Sequence, residues 1–80
     1  MERETIKQKL TAIFQDVLNS PSLKLDDKMT AADVEGWDSL YNIQIIIAVE
    51  KMFKIRFKAT EIRGWKNVGE MCDSILKAVA

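Results

Sequence analysis

Ile6, Leu10, Ile13, Phe14, Val17 and Leu18 recur at steps of four, three, one, three and one, which aligns them on one face of an α-helix from Arg3 to Leu18. Asn19-Ser20-Pro21-Ser22 ends that helix, because proline disfavours helical geometry in the residue before it and its polar neighbours favour turns. An irregular segment then runs to Asp38, with Leu23, Leu25, Met29 and Val34 as scattered apolar anchors among Asp26, Asp27, Asp33 and Glu35. A loop this long in a small fold is uncommon and often functional. From Ser39 to Phe53 the chain is apolar and β-branched, yet about fifteen residues without Gly or Pro exceed a typical strand, so length decides for a helix with Asp38 as N-cap. A short piece follows at Thr60–Ile62, with Thr60 as cap and Gly64 interrupting it. Asn67-Val68-Gly69-Glu70 has the form of a capping box, and Val68, Met71, Cys72, Ile75, Leu76 and Val79 form the stripe of a last helix. The pattern predicts an all-α chain of three main helices, one short segment and one long loop.

The middle helix has more apolar surface than one core can use. At about 100° per residue, Ile45, Ile46, Val49 and Phe53 point one way and Leu40, Ile43 and Ile47 roughly 120° away. If the first set faces the core, the second is an exposed apolar stripe beginning one residue after Ser39, which is a candidate docking surface.

Composition narrows the chemistry. Eighty residues bury only about 60% of their unfolded surface, enough for one modest core and no deep catalytic cleft, so a single unit over residues 1–80 is expected. Twelve Lys and Arg balance twelve Asp and Glu, which removes the bulk attraction behind nonspecific nucleic-acid binding and polybasic membrane anchoring. With no His and one Cys, the usual zinc sites and His-dependent nucleophilic arrangements are excluded, so no metal site and no catalytic residue is expected. Cys72, on the stripe of the last helix, reads as a small core residue, and a lone cysteine suits a reducing cytoplasm. Trp37 and Trp65 suit packing better than base stacking. The opening MERETIKQKL is not a signal peptide, and the longest apolar run, Ile45 to Val49, is too short to span a bilayer. An initial Met and a periodic last helix suggest a stand-alone protein.

Gly36-Trp37-Asp38-Ser39-Leu40, followed by a helix ending AVEKMFKIRF, resembles the acyl carrier protein family, whose local pattern is Asp-Ser-Leu at the start of the second helix. The resemblance extends over nearly the whole chain: first helix, long acidic loop, Asp-Ser-Leu helix, short third helix and last helix. It implies a four-helix bundle of acyl-carrier type. It further implies that Ser39 is the attachment point of 4′-phosphopantetheine, transferred from coenzyme A by a separate transferase, with an acyl or aminoacyl cargo held as a thioester. Ser39 at a helix start meets free backbone amides and the positive end of the helix dipole, which favour a phosphodiester. Asp38 would cap the helix and help to present the site. Leu40, Ile43, Ile47 and Glu50 match positions at which carriers contact their enzymes, and Ile46, Val49, Phe53, Phe57, Ile62 and Trp65 would line a sheltering space for the cargo. The bulk of Trp65 predicts little room for a long acyl chain. The implied partners are a phosphopantetheinyl transferase, a loading ligase and acyl-processing enzymes; the carrier itself is expected to be monomeric and not an enzyme.

Departures from the family pattern are informative. Tyr41 and Gln44 stand where carriers of fatty-acid synthesis commonly place acids, Lys51 follows Glu50, and Lys54, Arg56, Lys58, Arg63 and Lys66 make the third quarter basic. Docking should therefore rest more on the apolar stripe than on charge, as in a carrier serving a specialised pathway. Asp rather than His before the serine leans away from peptidyl carriers, though an aminoacyl cargo stays open. The alternatives are a helical interaction module without a prosthetic group and a helix-turn-helix DNA binder; neither explains a serine opening the striped helix after an acidic loop.

Overall fold

The computed structural model describes residues 2–34 and 36–79. Its helices are α1 (Arg3–Val17), α2 (Ser39–Phe53), α3 (Ala59–Gly64) and α4 (Val68–Val79), with no strand among the described residues. The all-α reading holds, and the helix starts and stops follow local chemistry.

α1 ends before Pro21 is reached. Asn19 takes a left-handed conformation (φ 52°), so the Asn19 and Ser20 amides turn back to the Asp16 and Gln15 carbonyls at 3.3 and 2.9 Å. This is a Schellman closure on an asparagine, a residue that tolerates that conformation. Pro21 comes two positions too late to be the stop. Gln15 Nε2 donates to the Leu23 carbonyl at 2.8 Å and ties the start of the loop to the helix. α3 also starts earlier than its sequence suggested. Lys58, not Thr60, is its N-cap, and the Glu61 carboxylate reaches back to accept from the Lys58 amide at 3.1 Å, leaving Thr60 inside the helix. At α4, Asn67 Oδ1 accepts from the Glu70 amide (2.9 Å) as a capping box requires, while Glu70 reaches one residue further than expected, to the Lys66 amide at 2.7 Å.

α1 packs against both α2 and α4. Ile6, Leu10 and Phe14 of α1, Ile45 and Val49 of α2, and Val68, Met71, Cys72 and Ile75 of α4 are at most 1% exposed and form one cluster, completed by Leu25 from the loop. Cys72 is part of this packing, and burial pushes its thiol pKa up, so it remains protonated near neutrality. α3 contributes no buried residue.

The long loop is tied down at its middle. The Gly69 amide donates to the Asp27 carbonyl at 2.8 Å and the Val68 amide to the Met29 carbonyl at 2.9 Å. That approach favours glycine: a Cβ at position 69 would stand 3.0 Å from the Asp27 oxygen and 3.2 Å from the Asp27 Cβ, so the loop would have to give by a few tenths of an ångström. Arg3 clamps the same point, donating to Asp27 Oδ2 (2.6 Å), Asp73 Oδ1 (3.1 Å) and the Gly69 carbonyl (3.1 Å), with Lys7 Nζ 3.3 Å from Asp27 Oδ1. The hydrogen bond from Arg3, helped by Lys7 against the opposing effect of burial, holds the Asp27 carboxyl below its ordinary pKa. A carboxyl depressed in the folded state contributes stability above its unfolded pKa of about 3.9 and loses it as pH falls through the folded value. The stability gap between the protein and an Asp27→Asn variant, followed by thermal melting, should therefore close as pH drops from about 5 to about 2. A gap constant across that window would show that the clamp does not act through charge.

Candidate phosphopantetheine site

The chain approaches α2 through a turn only glycine adopts easily: Gly36 has φ 86°, the Trp37 amide returns to the Val34 carbonyl (3.2 Å), and the Asp38 amide to that of Gly36 (3.1 Å). The turn sends Trp37 inward, where its ring meets Phe14 edge-on at 4.9 Å and its Nε1 donates to Asn42 Oδ1 at 2.9 Å. Asp38 follows in extended geometry as the N-cap of α2, its Oδ1 accepting from the Tyr41 amide at 3.0 Å. Ser39 is then the first residue of the helix, exposed at its positive end, with the Asp38 cap beside it and no acid within the first turn.

Down α2, the two apolar sets separate as their spacing required. Ile45, Ile46, Val49 and Phe53 are buried, while Leu40, Ile43 and Ile47 are 63%, 57% and 46% exposed and lead away from Ser39 on one side. Met52 is also exposed but, at five residues past Ile47, turns about 140° away from that stripe, and it was not singled out by the sequence. Glu50 is committed inward: one of its oxygens accepts from the Phe57 amide at 2.9 Å, holding the segment that follows α2. It is half-buried and braces the fold, unlike the freely presented acid expected on a docking face.

On the other side of Ser39 lies an open cavity of about 370 Å³. Trp37, Asp38, Ser39 and Asn42 line one side, and Ile62, Trp65, Lys66, Asn67 and Met71 the other, with Ala31 at the loop. Of the six residues expected to shelter a cargo, only Ile62 and Trp65 line it. Val49 and Phe53 are spent in the core and Ile46 is buried apart from the cavity, while the Phe57 ring lies edge-on to Trp65 at 4.9 Å and is not part of the lining. Trp65 is fixed by a second contact, Nε1 to Ser74 Oγ at 2.7 Å. Asn42, one helical turn from Ser39, was legible by spacing as a neighbour of the serine; Lys66 and Asn67 are brought there only by the packing of α3 and α4.

Among the described residues no cluster of His, Cys, Asp and Glu could hold a metal ion, and no helix is long and apolar enough to cross a membrane. An exposed hydroxyl at a capped helix start, flanked by an apolar stripe and an open cavity, is the arrangement of a carrier that presents a tethered group. Comparison with known proteins gives the same class. The family model "Phosphopantetheine attachment site" matches residues 8–75. The acyl carrier protein of Acidothermus cellulolyticus is 27% identical over 78 residues, 98% of this chain and 93% of that protein. The solution NMR structure of holo acyl carrier protein from Geobacter metallireducens superposes with a TM-score of 0.87 at 34% identity, over 92% of this chain and 85% of that one. The chain belongs to the phosphopantetheine attachment family and is a carrier of the acyl carrier protein type. Its prosthetic group is covalently attached 4′-phosphopantetheine, and its role is to carry, not to catalyse.

Proposed function

We propose that Ser39 Oγ bears the 4′-phosphopantetheine arm and that the chain, acting as one monomeric unit, presents an acyl or aminoacyl thioester to enzymes of a specialised biosynthetic pathway in the cytoplasm. The observation that carries the attachment reading is the exposed Ser39 hydroxyl at the first position of a helix capped by Asp38. In the loading step Oγ attacks the phosphorus next to pantetheine in coenzyme A. The new Oγ–P bond forms, the pyrophosphate P–O bond breaks, adenosine 3′,5′-bisphosphate leaves, and the hydroxyl proton passes to a base on the transferase. The carrier's carboxylate beside Ser39, Asp38, caps the helix through one oxygen, and the base is assigned to the transferase. Its own contribution is electrostatic and positional: the free amides at the start of α2 favour the phosphodiester, and Leu40, Ile43 and Ile47 offer the partner an apolar footing.

The specialised assignment rests on charge. The first turn of α2 has no acid, Glu50 is turned inward, and Lys51, Lys54 and Arg56 are exposed at the helix end, so a partner built for an acidic carrier finds little to hold. The cytoplasmic reading rests on Cys72, a buried thiol suited to a reducing compartment.

One experiment tests both parts. The protein is incubated with coenzyme A and a broad-specificity phosphopantetheinyl transferase, weighed intact, and then offered to fatty-acid synthase enzymes. The expected result is the mass gain of a single arm, abolished in Ser39→Ala, followed by elongation far slower than with a housekeeping carrier. A gain that survives Ser39→Ala would sink the attachment reading, and elongation at the housekeeping rate would remove the specialised assignment.

A further inference from the structure

The cavity beside Ser39 is one-sided in its hydrogen bonding. Indole and backbone N–H groups only donate, so each amide side chain they meet must turn its oxygen to them: Asn42 Oδ1 accepts from Trp37 Nε1, and Asn67 Oδ1 from the Glu70 amide. Both asparagines line the cavity, and among the described residues neither NH₂ group, a donor without acceptor capacity, has a hydrogen-bond partner. Lys66 lines the cavity beside Asn67. Neither tryptophan has an N–H to spare, Trp65 Nε1 being held by Ser74 Oγ. Asp38 is the one carboxylate among the described lining residues; it stands next to Ser39, with one oxygen already taken by the Tyr41 amide. A site lined by unspent donors rewards acceptor oxygens and leaves donors unpaired against a plain alkyl group. The Asp38 carboxylate and a phosphodiester on Ser39 both disfavour a second anion at the mouth.

We infer that this cavity is a receiving site for neutral carbonyl oxygens of the tethered group, supplied either by the amides of the arm bent back over α2 or by a second carbonyl on a short cargo. The inference rests on attachment at Ser39 and names the chemistry that the same site holds. Butyryl and acetoacetyl cargoes have the same chain length and differ in having a CH₂ or a C=O at the third carbon, so they isolate the oxygen.

The protein labelled with ¹⁵N is prepared apo, holo, butyryl and acetoacetyl, each loaded form coming from the matching coenzyme A derivative and the broad-specificity transferase. Intact mass reports loading, and the side-chain NH₂ signals of Asn42 and Asn67 report the cavity. The expected result is displacement of both signals in the acetoacetyl form relative to butyryl, which identifies the cargo carbonyl as occupant. Displacement already present in the holo form, with both acyl forms coinciding with it, identifies the arm amides instead. Complete loading with both signals at their apo positions overturns the inference and leaves the attachment reading intact. Butyryl moving them beyond holo as far as acetoacetyl does also overturns it, since an alkyl group would then be the occupant. No mass gain removes the attachment reading and this inference together.

Discussion

A Leu40→Ala, Ile43→Ala double variant is expected to melt like the parent protein and yet accept the phosphopantetheine arm about 30- to 100-fold more slowly, the effect of losing two apolar anchors worth more than about 1 kcal/mol each at an interface. Both side chains are more than half exposed, so the folded protein alone gives up little by their loss, and alanine suits a helix at least as well as either. The contrast between an unchanged melting temperature and a reduced kcat/KM for the transferase is what separates a docking stripe from packing. Transfer at the parental rate would show that the partner reads Ser39 and its cap without the stripe. A fall in stability matching the fall in rate would show that the stripe is packing.

The opposite profile is expected for Phe14→Ala, which should lower unfolding stability by about 3–5 kcal/mol, as large-to-small changes of a fully buried aromatic do. Against a typical total of about 5–15 kcal/mol, that is a large share for so small a fold. Phe14 is completely buried in the cluster joining α1, α2 and α4, and its ring is the edge-on partner of Trp37. Because Trp37 is also a wall of the cavity beside Ser39, the same substitution should shift the Trp37 indole signal in the fraction that stays folded. Urea unfolding measures the first effect and the ¹⁵N spectrum the second. A loss under about 1.5 kcal/mol would mean that the surrounding side chains close over the vacated space, at the cost of a conservative exchange and not of a deleted ring.

The sequence made the helices and the two faces of α2 readable because both rest on spacing alone. Leu40, Ile43 and Ile47 fall on an arc that α1 does not cover, and no knowledge of α3 or α4 was needed to find them. The cap at Asp38 and the Asn67–Glu70 contact were legible for the same reason, since each is settled within four residues. What failed was decided by more distant or subtler matters. Asn19, not Pro21, closes α1, because asparagine can take the left-handed turn before proline is reached. Glu50 looked free from its position on the helix, but the following segment folds back to place the Phe57 amide on its carboxylate. The composition of the cavity was hidden most, because Phe57 and Trp65 are both large apolar residues in mutual contact, and only the packing shows that Trp65 lines the cavity and Phe57 does not.

The bond from the Phe57 amide to Glu50 also fixes where the molecule can yield. It joins the connection after α2 to α2 itself at Phe57. Beyond it comes α3, a helix of 6 residues with none buried, which nevertheless carries Ile62 and leads directly to Trp65, two walls of the cavity. The remaining walls belong to α2, to the loop that Arg3 clamps, and to α4, whose core residues are almost wholly buried. Displacing α3 thus exposes less apolar surface to water than displacing any other helix, and its opening free energy lies at the low end of the range that local unfolding spans within one fold. Ile62 is thus a wall of the cavity carried by a helix that buries no residue, so substitutions within α3 would reshape that wall at little expense to the core.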